Sequence, residues 1–298
     1  MVEIRRLLCP VDFSDVSRHA LDHAAAIAGW YDATVTALHV WHPGLYPPPS
    51  AFAGPYLNPV QGGDLDARLH AELAEFVKAA NPPLVDPELW VAEGPVADTI
   101  VARAAARKAD LIVVGTHGTS GFERLVLGSV TEKVLRKAAC PVLTVPPRAR
   151  ATSKLPFRRL LCPVDFSESS LAALQFAFSM AQESDAQLTI LHVLEEWPSP
   201  DQLKDEPERS KYSHQRDETA KHLDSLVPAT IRDWCLPLTR LGHGKAYREI
   251  LGVATEDEMD LIVMGVHGRN AFDMMLFGST TNQVVRFATC PVLTVRCG

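Results

Sequence analysis

Asp110-Leu111-Ile112-Val113-Val114-Gly115-Thr116-His117-Gly118 is followed, nine residues later, by Gly128-Ser129-Val130-Thr131-Glu132-Lys133-Val134-Leu135. The first five residues read as a buried strand and the last seven as the start of a helix. Glycines stand at both ends of the connection. A strand, a glycine loop and a helix start, in that order, form a place for a phosphate. Glycine lets backbone N–H groups approach an anion, and a helix N-terminus carries unpaired N–H groups and a positive dipole end. The same series returns 150 residues further on, as Leu261-Ile262-Val263-Met264-Gly265-Val266-His267-Gly268 and then Gly278-Ser279-Thr280. That offset is about half of the 298-residue chain, so the chain reads as two copies of one domain.

Other repeats agree. Leu7-Leu8-Cys9-Pro10-Val11-Asp12-Phe13-Ser14 recurs as Leu160-Leu161-Cys162-Pro163-Val164-Asp165-Phe166-Ser167, and Leu38-His39-Val40 as Leu191-His192-Val193. Cys140-Pro141-Val142-Leu143-Thr144-Val145 recurs as Cys290-Pro291-Val292-Leu293-Thr294-Val295. In the first copy, residues 4–11 predict a strand and Ser14 caps a helix that ends at Gly29. Residues 34–40 predict a second strand and 42–60 a Pro- and Gly-rich loop. A polar-faced helix over 65–80 stops at Asn81-Pro82-Pro83. A short strand over 89–92, an alanine-rich helix to Lys108, the strand 110–114, a helix from Ser129 and a strand over 142–145 complete it. In the second copy, Asp201 to Glu218 is densely charged and reads as a solvated loop leading into a helix up to about Leu226.

Short apolar strands alternating with helices predict an α/β fold. Each half is expected to hold a five-stranded parallel sheet with helices on both faces, doubly wound. Ligands of such sheets bind at the carboxyl ends of the strands, where the strand order switches. Asp12, Val40 and Gly115 all fall at strand ends and are expected to converge there. The expected domains are residues 1–147 and 157–298, with a polar linker over 148–156.

Composition bounds the rest. Hydrophobic content of 47% and charged content of 22% are those of an ordinary globular chain, and the net charge is −7. Neither half is basic, which argues against a nucleic-acid partner. No apolar run approaches the roughly 18 residues of a membrane span, and no signal peptide is read at the N-terminus, so a cytoplasmic protein without a membrane partner is expected. The six cysteines include no CxxC pair and read as buried small hydrophobes, with Cys297 the one expected to react most readily.

Two phosphate motifs are absent: GxxxxGK[ST], and GxGxxG after the first strand. The pattern G-x-x-G-x9-G-[ST], together with the first-strand end PVDFS and the closing strand CPVLTV, resembles the universal stress protein family in its nucleotide-binding branch. The resemblance covers about residues 1–147 and 157–298 as a tandem. It implies two Rossmann-like, adenine nucleotide alpha hydrolase-like domains. It also implies that Asp12 and Asp165 contact the nucleoside, with Pro10 and Pro163 on the same wall. Val40 and Val193 would meet adenine through their backbone. Val114 and Met264 would flank ribose or base. Gly115, Gly118, Gly128, Ser129 and Val130 would hold the phosphates, as would Gly265, Gly268, Gly278, Ser279 and Thr280. The cofactor implied is ATP, with or without Mg2+.

The plainer readings are weighed beside these. Loop glycines also serve tight turns, and Asp12 and Asp165 also suit a helix N-terminus. His117 and His267 read as structural, and His39 and His192 as satisfied core histidines. The second loop differs from the first by Arg269, Ala271 and Phe277 in place of Thr119, Gly121 and Leu127. No catalytic residue and no metal-ligand cluster is read. The expectation is a regulatory, ATP-binding stress protein with at most weak ATP hydrolysis. The rival is a nucleotide-free interaction protein of the same fold. The resemblance further implies pairing through the last strands, as an intramolecular pseudo-dimer or a homodimer.

Overall fold

The computed structural model describes residues 3–42, 62–116, 127–147, 149, 157–195, 205–232, 237–266 and 278–296. The chain divides into two compact units, one of residues 3–156 and one of residues 157–297.

The first unit runs β1 (Arg6–Pro10), α1 (Asp15–Tyr31), β2 (Thr34–Trp41), α2 (Gly62–Lys78), β3 (Glu88–Glu93), α3 (Val96–Ala106), β4 (Leu111–Gly115), α4 (Ser129–Lys137) and β5 (Val142–Val145). Its sheet has the order β3-β2-β1-β4-β5 and every pairing in it is parallel. The second unit repeats this with β6 (Arg159–Pro163), α5 (Glu168–Ser184), β7 (Gln187–Leu194), α6 (Glu206–Ser225), α7 (Ala229–Arg232), β8 (Leu238–His243), α8 (Ala246–Glu256), β9 (Leu261–Gly265), α9 (Ser279–Phe287) and β10 (Val292–Val295). Its sheet order is β8-β7-β6-β9-β10, again parallel. The order switches between β1 and β4, and between β6 and β9. Right-handed crossovers place helices on both faces, so the central strands are buried throughout and read as unbroken apolar runs.

The cysteines behave as small hydrophobes. Cys9 and Cys162 are fully buried, and burial pushes their thiols far above the ordinary range. Burial likewise raises Cys140 to about 11 and Cys290 to about 12. Cys235 and Cys297 lie outside the described residues. At the amino end of the first sheet, the Asp110 carboxylate accepts from the backbone N–H groups of Arg5 and Arg6, both at 2.9 Å. Asp260 accepts from Arg158 and Arg159 at 3.0 Å in the second. The acid before β4, or before β9, thus fixes the start of the neighbouring central strand, β1 or β6.

Several boundaries depart from the sequence expectation, β1 and α2 by two or three residues, and three others with a visible local cause. Helix α1 runs through Gly29 to Tyr31 and stops at Asp32, which takes the left-handed conformation with φ 52°. An aspartate tolerates that conformation better than most residues, and Asp185 repeats it at φ 51°. Helix α3 ends at Ala106, two residues early, with Lys108 left-handed at φ 49°. The largest departure is α6, which begins at Glu206, inside the stretch expected to be loop. The Asp205 side chain accepts from the Glu208 N–H at 2.9 Å, Pro207 sits in the first turn, and the Glu, Lys and Arg residues of the run are themselves good helix formers. Leu223 is its buried residue, which is why no apolar period announces the helix.

Candidate functional site

The first wall of the site is the turn after β1. The Val11 N–H continues the ladder one step past the strand by donating to Leu38 O at 2.8 Å. The Asp12 carboxylate then closes a tight turn, its Oδ1 accepting from the Ser14 N–H at 3.1 Å and from Ser14 Oγ at 2.6 Å. Ser14 Oγ in turn accepts from Ser17 N–H at 3.1 Å and caps α1, as expected of it. Between them Phe13 sits at φ 63°, a conformation that a bulky residue rarely takes. The second unit reproduces this turn. Asp165 Oδ1 accepts from Ser167 N–H at 3.1 Å and Ser167 Oγ at 2.6 Å, and Phe166 has φ 63°.

The second wall is the end of β4 and the start of α4. Thr131 Oγ1 donates to Gly115 O at 2.7 Å, and the Gly128 N–H donates to Thr116 O at 2.9 Å. These two bonds pin the helix start to the strand end on either side of the loop. In the second unit Thr281 Oγ1 donates to Gly265 O at 3.0 Å and Gly278 N–H to Val266 O at 3.1 Å. Helices α4 and α9 begin at Gly128 and Gly278 with no side-chain cap, as α3 and α8 do at Pro95 and Lys245, whereas α1, α5 and α6 are capped by Ser14, Ser167 and Asp205. Ser129 is exposed at the first position of α4 and Ser279 at that of α9. Uncapped N–H groups beside an exposed hydroxyl suit an anion. The first turn of α4 also carries Glu132, where α9 has Asn282 and no acid.

These elements bring most of the expected residues to one edge in each unit. Pro10 ends β1, Asp12 follows it, Val40 lies next to the end of β2, Val114 and Gly115 end β4, and Gly128, Ser129 and Val130 open α4. Pro163, Asp165, Val193, Met264, Gly265, Gly278, Ser279 and Thr280 occupy the matching places. Gly118 and Gly268 lie outside the described residues, as do His117, His267 and the loop substitutions from Arg269 to Phe277. Among the described residues no group of three or more His, Cys, Asp or Glu side chains is placed to hold a metal ion.

Gly115 has a physical explanation other than a phosphate. A Cβ built on it would stand 2.7 Å from Val16 Cγ1 and 3.1 Å from Val16 O. On Gly265 it would meet Ser169 Oγ and lie 2.7 Å from the Ser169 carbonyl carbon and 2.8 Å from its oxygen. The bare position is therefore required by the close approach of α1 to β4, and of α5 to β9. Four further pairs matter that the sequence reading did not single out: Thr131 and Thr281, Phe13 and Phe166, Ser14 and Ser167 as partners of the aspartates, and Val16 with its counterpart Ser169. The first three are identical between the copies, which was the available signal.

His39 is buried as expected but only half satisfied. Nδ1 donates to Val11 O at 2.8 Å, while Nε2 has no hydrogen-bond partner among the described residues. The Phe13 ring lies on the imidazole at a centroid distance of 4.4 Å. Outside that pair, Phe76 of α2 meets Phe13 edge-on at 5.6 Å, and Arg18 lies over the Phe76 ring at 3.5 Å and donates to Phe76 O.

An α/β sheet wound in both directions, with a carboxylate turn and an uncapped helix start at its switch point, twice in one chain, defines a tandem of Rossmann-like domains. The model of the universal stress protein family matches residues 3–146 and again residues 156–296. The chain belongs to that family and carries its domain twice. A universal stress protein of Mycolicibacterium smegmatis is 29% identical over 302 aligned residues, covering 97% of this chain and 96% of that protein. One of Methanocaldococcus jannaschii is 40% identical over 148 residues, which are 47% of this chain and 81% of that protein. The crystal structure of a universal stress protein from Archaeoglobus fulgidus has the same fold, with a TM-score of 0.64 at 22% identity over 98% of this chain and 96% of that one. No described helix is long and apolar enough to cross a membrane.

Proposed function

We propose that each half, residues 1–147 and 157–298, holds an adenine nucleotide, ATP with or without Mg2+, and that the protein acts in a stress response as a nucleotide-dependent regulator with at most weak hydrolysis. The observation that carries this reading is the pairing, in both units, of a strand-end aspartate turn with an uncapped helix N-terminus across the switch in strand order. The aspartate suits ribose hydroxyls, the strand end beside Val40 or Val193 offers backbone groups to a base edge, and the N–H groups of α4 or α9 face the phosphates. Acid extraction of the purified protein, read by chromatography, is expected to release adenine nucleotide, and calorimetry on the stripped protein to show ATP binding. Extracts without nucleotide, combined with no heat of binding at millimolar ATP, would refute the reading.

A second reading, a nucleotide-free interaction protein, is favoured by Gly115 and Gly265, whose lack of a side chain is accounted for by helix packing alone. The same two measurements separate them.

A further inference from the structure

His39 is an expensive residue for its place. It is 3% exposed, in a strand otherwise filled by apolar side chains and threonine, and buries a nitrogen with no partner among the described residues. A leucine would fill similar space without that cost. What the imidazole adds is the bond from Nδ1 to Val11 O. The second unit builds the same arrangement, with His192 Nδ1 donating to Val164 O at 2.7 Å and Phe166 against the ring at 4.5 Å. The outer partner does not repeat. Phe76 meets Phe13 edge-on, whereas His222 stacks flat on Phe166 at 4.4 Å. The layer away from the turn changes and the histidine on the turn stays.

The place of this bond is informative. His39 immediately precedes Val40, and Val11 immediately precedes Asp12. The Val11 N–H is already held by Leu38 O, so His39 fixes the carbonyl end of the same residue. Both of these attachments are to β2, the strand that carries Val40 next to its end. Phe13, left-handed at φ 63°, lays its ring on the same imidazole. The phosphate end is tied by other bonds, those of Thr131 and Gly128 to the end of β4.

We infer that His39 with Phe13, and His192 with Phe166, are positioning residues for the nucleoside: they set Asp12 against the backbone of Val40, and Asp165 against that of Val193, without touching the ligand themselves. The inference rests on the nucleotide reading above. It requires a selective loss, in which recognition of the nucleoside depends on the histidine and recognition of phosphate does not.

The test is calorimetry on the full-length protein with ATP, adenosine and inorganic tripolyphosphate. The variant His39→Leu/His192→Leu is expected to bind ATP and adenosine about tenfold more weakly, the equivalent of one hydrogen bond, and tripolyphosphate within about twofold of wild type. His39→Asn/His192→Asn offers an amide N–H near the position of Nδ1 and is expected to keep ATP affinity within about threefold. Should the leucine variant fail to fold, Phe13→Asn/Phe166→Asn tolerates the left-handed turn, lacks the ring, and is expected to show the same selective loss. Unchanged ATP affinity in the folded variants, or an equal fall for ATP and tripolyphosphate, overturns the positioning role alone. A wild-type protein that binds no ATP overturns the nucleotide reading and this inference together.

Discussion

Replacing Gly115 or Gly265 by alanine separates packing from ligand binding. Neither glycine has a left-handed φ, so alanine meets no backbone strain and the cost is steric. At Gly115 the severe contact is with a side-chain methyl, Val16 Cγ1 at 2.7 Å, and the nearest main-chain atom, Val16 O, is at 3.1 Å. Valine in a helix is stiff at χ1, so the methyl yields only with a small shift of the helix. At Gly265 main-chain atoms of Ser169 lie at 2.7 and 2.8 Å, and only movement of the first turn of α5 relieves them. Overpacking of this kind costs roughly 1–3 kcal/mol. The loss of chain freedom in the unfolded state returns roughly 0.4–1 kcal/mol. The net expectation, overpacking less the returned entropy, is about 1 kcal/mol for Gly115→Ala and about 2 kcal/mol for Gly265→Ala, from the lower and upper parts of that range.

For units of this size about 1 kcal/mol moves the midpoint by roughly 2–4 °C, so Gly265→Ala is expected to melt about 4–8 °C low and Gly115→Ala about 2–4 °C low. Scanning calorimetry without nucleotide reads this directly. Val16→Ala supplies a control: the double variant Val16→Ala/Gly115→Ala is expected to lose less than the sum of its parts, with a coupling of at least about 0.5 kcal/mol. Midpoints equal to wild type, together with lost ATP binding, would refute the packing account and return both glycines to the ligand.

Ser129→Glu places a carboxylate at the start of α4, where the helix dipole favours it and a phosphate does not. It is expected to leave the midpoint unchanged or slightly raised while weakening one ATP-binding event about tenfold, by calorimetry. Thr131→Val keeps the shape but leaves Gly115 O without its buried donor; urea unfolding is expected to show a loss of about 1–3 kcal/mol. His23 is buried in α1 with its pKa lowered from 6.5 to about 4, chiefly by burial. The unfolded chain therefore takes up a proton near 6.5 that the folded one refuses, so stability is full above that pH and falls progressively towards pH 4. The loss approaches about 3 kcal/mol, and His23→Leu is expected to flatten that slope in urea titrations between pH 7 and 4.5.

Much of this was legible before any coordinates. The repeat placed the strand ends, and their apolar runs required a covered, doubly wound parallel sheet; that β1 and β4 flank the switch is seen only in the strand order of the structure. Helix starts marked by a serine or a bare glycine, at Ser14, Ser167, Gly128 and Gly278, lie where the caps place them. What escaped depended on contacts far apart in sequence. Nothing near Gly115 reveals that Val16 lies against it. His39 reads only as a satisfied core histidine until the carbonyl it holds, 28 residues earlier, is seen. Helix α6 escaped for the opposite reason: it buries so little that no period in the sequence records it.

The close approach at Gly115 changes what the glycines of this edge mean. The first turn of α1 rests on the end of β4, the same turn is capped by the serine that closes around Asp12, and the end of β4 holds α4 through Thr131. A displacement of α1 away from β4 therefore disturbs both walls at once, the aspartate turn directly and the helix start through the strand end. A side chain at Gly115 would weaken a ligand without ever reaching it. Loss of binding on substituting this glycine is thus a poor sign of contact, and Ser129, exposed at the start of α4, is the better probe of the phosphate end.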